Sequence, residues 1–279
     1  MKRKKRIGTA AKAVGCAVLL MISLFPIYWL LAMAIRPTDE MRGHIALIPQ
    51  SLTGMHFAQL FTSENFGQAI MNSLQTTFGS LIISLLAGIC AAYVIARRRF
   101  RFGLKKPMTY WVLLVRVLPP VAFTIPLYIM FNRLGVLNTK LPVMLACVLI
   151  NVPLIIWFLI SFFQDLPEEI EESAKVDGAT EWQLFCKIVL PLVAPGIAAV
   201  SMLSFMYAWN EYTYTVIFTR IPANNTVPLA LALLNTEDNL TNFGLVAAGG
   251  VISVIPITLF DLFAQNYWIS GLSSGAVKE

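Results

Sequence analysis

Charge is scarce in the long apolar segments of this chain, and where it occurs it invites a chemical reading. Arg116 stands just before Pro119-Pro120, Glu211 follows Trp209-Asn210, and Asp261 lies near the end of a late apolar run. A guanidinium offers a planar fork of donors to a carboxylate, to hydroxyls or to an anionic substituent. Any of the three left in hydrocarbon costs about 2.5–3.5 kcal/mol on insertion scales, so each should face protein or a cavity. Two readings stay open. Either Arg116 pairs with a carboxylate and fastens helices, or Arg116, Asn210 and Glu211 line a pathway. In the second, Trp209 and Tyr212, with Tyr207 and Tyr214 nearby, offer flat faces on which a bound ring can stack. Interfacial anchoring is the commoner use of Trp and Tyr at span ends.

A second concentration of chemistry lies over 164–191, where seven acids meet two lysines for a net charge of −5. Asp165 can cap a helix, with Pro167 in its first turn and Glu168 in the capping-box position. Glu168, Glu169, Glu171 and Glu172 then sit near the positive end of that helix, where carboxylates are favoured. Gly178 ends it, and Thr180 with Gln183 forms a second capping pair. Trp182, Phe185 and Ile188 or Val189 recur on one helical face. The segment is thus read as two short helices joined at a glycine turn. A merely solvated acidic loop would need neither the apolar stripe nor a glycine that admits another backbone.

Other chemistries find little support. No Ser/His or paired-Asp constellation sits within the apolar segments, and no metal-ligand cluster is present. His44 and His56 lie in one polar loop without the partners of a metal site. The four cysteines, at 16, 90, 147 and 186, are scattered, and read as buried small hydrophobes rather than a disulfide framework. No Gly-x-x-x-x-Gly-Lys-Ser/Thr run occurs, so the chain holds no nucleotide cradle of that type.

The elements that must position these residues are membrane-length. Hydrophobic residues make up 57% of 279 positions and charged residues 13%, about half the charge of a soluble domain. Six apolar runs, near 13–35, 70–96, 107–131, 141–163, 192–218 and 243–265, can each cross a core ~30 Å thick. Without alternating ten-residue segments a barrel is disfavoured. The fold class is therefore all-α, polytopic, with six transmembrane helices. Ala32-Met33-Ala34 looks like a signal cleavage site, but the preceding apolar run is too long, and the first helix is kept.

Basic residues set the orientation. Fifteen of them, clustered at Lys2–Lys12, 97–106 and the hairpin and C-terminus, share one side; Arg36, Arg42, Arg133, Lys140 and Arg220 fall on the other. Both termini and the acidic hairpin are expected in the cytoplasm. That topology accounts for the high pI, so no nucleic-acid partner is inferred. The organisation expected is a basic N-terminus over 1–12 and a single transmembrane domain over 13–279, with the hairpin at 164–191. Loops 37–69 and 221–242 face outward, the first with a helix-like stretch near 57–61.

Spacing then sharpens the hairpin. Glu172-Ser173-Ala174 is followed after three residues by Gly178, and after nine more by Ile188-Val189-Leu190-Pro191. This resembles the cytoplasmic signature of the inner-membrane permease subunits of binding-protein-dependent ABC importers, with Ser173 for one alanine. Asp177-Gly178-Ala179, Trp209-Asn210-Glu211, Gly271-Leu272 and Gly275-Ala276-Val277-Lys278 are similar to the carbohydrate, maltose-permease-G-like branch.

The resemblance implies a subunit of a sugar importer in a bacterial-type inner membrane. A second permease, an ATPase dimer, an extracytoplasmic substrate-binding protein and a small sugar or polyol are its implied partners, with membrane lipid around it. It implies that Glu172, Ser173, Ala174, Asp177, Gly178, Ala179, Trp182 and Phe185 form the ATPase-coupling surface. ATP and Mg would bind the ATPase, with no cofactor or metal on this chain and no catalytic residue. A stand-alone secondary transporter or channel is the alternative, but it leaves the capped, aromatic-striped hairpin unexplained.

Overall fold

A computed structural model describes residues 2–41, 45–97, 105–234 and 241–275. Among the described residues every regular element is a helix. In chain order these are α1 (Lys2–Ala34), α2 (Met55–Thr62), α3 (Phe66–Arg97), α4 (Lys105–Val117), α5 (Thr124–Arg133) and α6 (Leu141–Gln164). They continue with α7 (Glu168–Val176), α8 (Glu181–Gln183), a π-helical turn Leu184–Val189, α9 (Leu190–Leu192) and α10 (Ala194–Trp209). Last come α11 (Thr213–Phe218), α12 (Val227–Leu234) and α13 (Thr241–Gly275). Arg42, His44, Arg98, Arg99, Arg101 and 276–278 lie outside the described residues.

Four described helices are each long and apolar enough to cross a membrane: Lys12–Ala34, Phe66–Arg97, Leu141–Gln164 and Phe243–Gln265. Six spans result if each of two bent pairs counts as one. The third expected span is one of these pairs, bent by 94° between α4 and the helix from Pro120 onward. Proline explains the bend, because Pro119 takes an extended backbone and neither proline has an N–H to carry a helix through. The fifth expected span, 192–218, is not one helix. Its axis turns by 73° at Val193, where the stretch Glu181–Leu192 meets α10, and it stops at Asn210 before α11 begins.

The chain divides into two compact units, Met1–Gly67 with Ala230–Ile255, and Gln68–Leu229 with Pro256–Glu279. In the second unit α6 is the central helix, packed by α4, α10 and α11. Its core gathers Tyr93, Ile155, Leu159, Phe163, Leu184, Val189 and Val200 into one cluster. A second cluster joins Phe131, Val143, Ala146, Tyr214 and Phe218. In the first unit, His56 is not a free loop residue: it is buried on α2, with its Nε2 2.9 Å from the Arg36 carbonyl. Cysteine burial holds only for Cys147, as Cys16 and Cys90 lie exposed on helices of lipid-crossing length and Cys186 is half-buried. Part of 221–242, read as a loop, is helical: Pro228 in the first turn starts α12, whose apolar run has membrane-like composition but only eight residues.

Candidate functional site

The acidic hairpin is built largely by its own sequence. Asp165 does not start α7. Its N–H donates to the Ser161 carbonyl at 3.0 Å and so ends α6, while Pro167 takes the N-cap position with extended backbone. A residue before proline is kept out of the helical region, so α7 cannot begin earlier than Pro167 permits. Its end is a Schellman closure. Gly178 N–H donates to the Lys175 carbonyl at 3.1 Å and Ala179 N–H to the Ala174 carbonyl at 3.0 Å. Gly178 takes φ +84°, a left-handed conformation that other residues enter at a cost. Thr180 Oγ1 then accepts from the Gln183 N–H at 3.2 Å while Gln183 Oε1 accepts from the Thr180 N–H at 3.0 Å. Both halves of the capping box are made.

One face of this hairpin is buried in the second unit's core. Ala174, Leu184, Phe185 and Val189 pack there, with the Phe185 ring 4.9 Å from Tyr93. The expected stripe is shifted by one feature: the turn over Leu184–Val189 is π-helical, with a wider repeat than 3.6 residues. Leu184 therefore joins the expected Phe185 and Val189 in the core, while Trp182, ahead of that turn, is 72% exposed with its ring 6.3 Å from Phe185. Ser173, the one departure from the Glu-Ala-Ala pattern, donates its hydroxyl to the Glu169 carbonyl at 2.7 Å. Ala174 is buried where a larger side chain would meet the cluster.

Two residues that sequence reasoning assigned only to charge bias and to cap electrostatics hold the hairpin in place. Arg97, in the last turn of α3, forms an ion pair with Glu171 at 3.0 Å and donates to the Leu166 carbonyl at 2.6 Å. Both side chains are largely buried. Tyr93, one turn earlier, reaches the same carboxylate at 3.5 Å. A visible signal was the spacing itself: 93 and 97 share a helix face, and 97 ends the apolar run.

The opposite face is open. Glu172, Ser173, Asp177 and Gly178 are exposed with Val176, which at 87% is among the most exposed aliphatic side chains described. Lys175 and Glu181 pair across the turn at 3.2 Å. An apolar tip of Val176 and Trp182, rimmed by carboxylates and fixed on a rigid base, is a docking shape.

The second candidate site surrounds the break after α10. Glu211 is buried, and both its oxygens are taken by the start of α11. Oε1 accepts from the Tyr214 N–H at 2.6 Å; Oε2 accepts from the Thr215 N–H at 3.1 Å and the Thr215 hydroxyl at 3.0 Å. Asn210 closes α10 by donating to the Met206 carbonyl at 2.8 Å, and its side chain is otherwise exposed. Trp209 is buried and stacks on Phe205, with ring centroids 6.0 Å apart. Tyr212 is partly exposed at the break. Tyr214 is buried and donates to the Pro120 carbonyl at 2.9 Å, tying this break to the one in the third span. Arg116 lies on α4, and its side chain is outside the described part of the structure.

Residues 84–267 match the family described as binding-protein-dependent transport system inner membrane component. The trehalose transport system permease protein SugB of Mycobacterium tuberculosis is 32% identical over 257 residues, which cover 92% of this chain and 93% of that one. The arabinooligosaccharides transport system permease protein AraQ of Halalkalibacterium halodurans is 32% identical over 288 aligned positions, taking in 100% of both chains. A crystal structure of a bacterial ABC transporter involved in the import of the acidic polysaccharide alginate has a similar fold. Its TM-score is 0.79 at 21% identity, with 95% of this chain and 98% of that one covered.

Proposed function

The chain belongs to the binding-protein-dependent transport system inner membrane component family, and from that premise we propose that it is the permease subunit of an ATP-driven importer of a sugar or sugar derivative. It is a multi-pass protein of the inner membrane. Counted with each bent pair as one, its spans number six, and both termini and the hairpin face the cytoplasm, as the basic residues favour. In this reading 1–12 is a basic cytoplasmic end and the rest one permease domain.

The observation that carries the reading is the hairpin's two-sidedness. Arg97–Glu171 and the buried Leu184, Phe185 and Val189 fix one face to the spans. The other face offers Val176, Trp182, Glu172 and Asp177 to a partner. That partner is a separate ATPase, present in two copies, which carries the ATP and Mg. A second permease completes the pathway, and an extracytoplasmic binding protein delivers the cargo. Sugar is the cargo class because SugB and AraQ are named for trehalose and arabinooligosaccharides. At the pathway, Asn210 and Tyr212 offer exposed surface at the break in the fifth span, with Trp209 and Glu211 holding it from behind. Arg116 remains assigned to the same bundle or pathway.

Coexpression tests this. The expected product is a complex of this chain, a second permease and two ATPase copies, whose ATP hydrolysis rises with sugar-loaded binding protein. Sugar uptake by this chain alone in liposomes, without ATP, would establish the stand-alone transporter instead.

A further inference from the structure

The first outer loop folds back against its own span. Tyr28, six residues before the end of α1, donates its hydroxyl to the Leu47 carbonyl at 2.7 Å. At ~1.5 Å per residue, the Tyr28 backbone lies about 9 Å below the last residue of the helix, and its side chain carries the hydroxyl to the loop. Tyr28 belongs to the apolar stretch Lys12–Ala34 that is long enough to cross a membrane. Leu47 is therefore tied to the outer turns of a span.

What the loop shows at that depth is apolar. Leu47, Ile48 and Leu52 are 63%, 74% and 73% exposed, and no charged residue occurs between 45 and 55. Several of its backbone groups are met from within. The Arg36 guanidinium, buried and 5.8 Å from the Trp29 ring centroid, donates to the Ala46 carbonyl at 2.6 Å. The Gln50 and Ser51 N–H groups donate to Glu40 at 3.0 and 2.8 Å, and the Thr53 N–H to the Ile35 carbonyl at 2.8 Å. Water would satisfy such groups without help. Irregular backbone in contact with lipid has no such recourse, and each unmet group there costs several kcal/mol.

We propose that residues 45–55 form a wedge seated in the outer leaflet, with Leu47, Ile48 and Leu52 among the upper acyl chains. The partner is the lipid itself. Three side chains are too small a patch for a stable protein interface, which takes about 800 Å² per partner. They suit an interfacial anchor beside a tyrosine. The wedge fixes the level of the first span's outer end, and so the height of the loop that follows it. The choice of leaflet rests on the topology proposed above, while insertion depth does not depend on it or on the cargo.

The test is a nitroxide at Ile48→Cys in the assembled complex in liposomes, with Cys16, Cys90, Cys147 and Cys186 replaced by alanine. Leu52→Cys serves as a second site, and exposed Glu64→Cys in the same unit as the aqueous reference. Collision with oxygen should exceed collision with a water-soluble nickel chelate several-fold at 48 and 52, and the reverse should hold at 64. Nickel access at 48 and 52 equal to that at 64 would place the loop in water and overturn the proposal. Protection from both reagents would mean a protein covers the loop, and would overturn it equally.

Discussion

Glu171 and Glu211 are both carboxylates whose oxygens are spoken for, yet they do opposite work. Glu211 sits at a break in an apolar span and gives both oxygens to the backbone and hydroxyl of the helix that follows it. Glu171 gives its charge to Arg97, a residue 74 positions away, and so joins the hairpin to a membrane helix. Its neighbour Glu172 points outward. The carboxylate inside the span serves its own strand of chain, whereas the hairpin's acids are divided between an anchor and a display. A buried charge in a span is therefore a poor guide to a substrate site until its partners are known. An acid in a water-exposed hairpin is equally ambiguous until its neighbours are seen to be buried or free.

The comparison is most exposed to failure at the anchor. Arg97→Met leaves the Glu171 carboxylate buried without its cation, a change that costs about 3–5 kcal/mol where such pairs are well enclosed. The melting temperature of the complex should fall, and ATP hydrolysis should lose its dependence on binding protein. Arg97→Met with Glu171→Leu should recover stability, because neither charge is then stranded. Equal stability of the single variant and the parent would remove the anchor from the account.

On the display side the signature should be reversed. Trp182→Ala removes a largely exposed ring whose neighbour in this chain is Phe185 at 6.3 Å, so the stability of the isolated chain should fall by only about 1 kcal/mol or less. If Trp182 is an interface anchor, affinity for the ATPase falls by about 2 kcal/mol, roughly thirtyfold, in a titration of the complex. Unchanged affinity would reduce the tip to a solvated surface.

Glu211→Ala should cost about 1–2 kcal/mol, the loss of a helix cap together with stranded N–H groups of Tyr214 and Thr215. Glu211→Gln keeps an acceptor and should retain most of that. A transport defect equal in the two variants, at unchanged stability, would mean that the charge meets cargo, and would erase the contrast with Glu171.

The turn offers a smaller and cleaner measurement. A Cβ built on Gly178 meets nothing within 4 Å, so a side chain there meets no clash within this chain. What remains is the left-handed backbone, worth about 1–2 kcal/mol for a β-branched residue and less for asparagine. Gly178→Val should lower stability by that amount, and Gly178→Asn by less. Coupling lost in Gly178→Asn at nearly native stability would show that a second backbone approaches the turn.

Legibility followed the range of the forces involved. The hairpin's capping box, its glycine turn and the proline break in the third span were readable, because each depends on residues within a few positions of one another. Four of the six spans were readable as single helices, because hydrocarbon thickness fixes their length. Arg97–Glu171 was not, since a charge at the end of an apolar run serves topology and ion pairing alike and only the fold selects between them. The shifted stripe was missed for another reason: a π turn changes the repeat without announcing itself in residue type. Asp165 had the right type for a cap, but Pro167 overrode it by excluding helical backbone at the residue before it.

The smallest expected effect lies at a cap in the first unit. Glu40 does the job of Glu211 at the foot of the outer loop, accepting from the Gln50 and Ser51 N–H groups and from the Ser51 hydroxyl. Those donors, the Ser51 hydroxyl foremost, hold its carboxyl below the usual range. A carboxyl whose folded pKa is depressed contributes stability above its unfolded pKa and loses it as pH falls through the folded value. The clasp should thus stay closed through neutral and mildly acidic conditions and open only below the ordinary carboxyl range. Amide exchange at Gln50 and Ser51, followed against pH, reads this directly. Ser51→Ala removes the largest contribution and should move the opening to higher pH, while exchange in α7 of the hairpin stays as it was. Opening at the same pH in Ser51→Ala would mean that the backbone donors alone set the clasp, and that this exposed carboxylate is held as Glu211 is, mainly by the chain it caps.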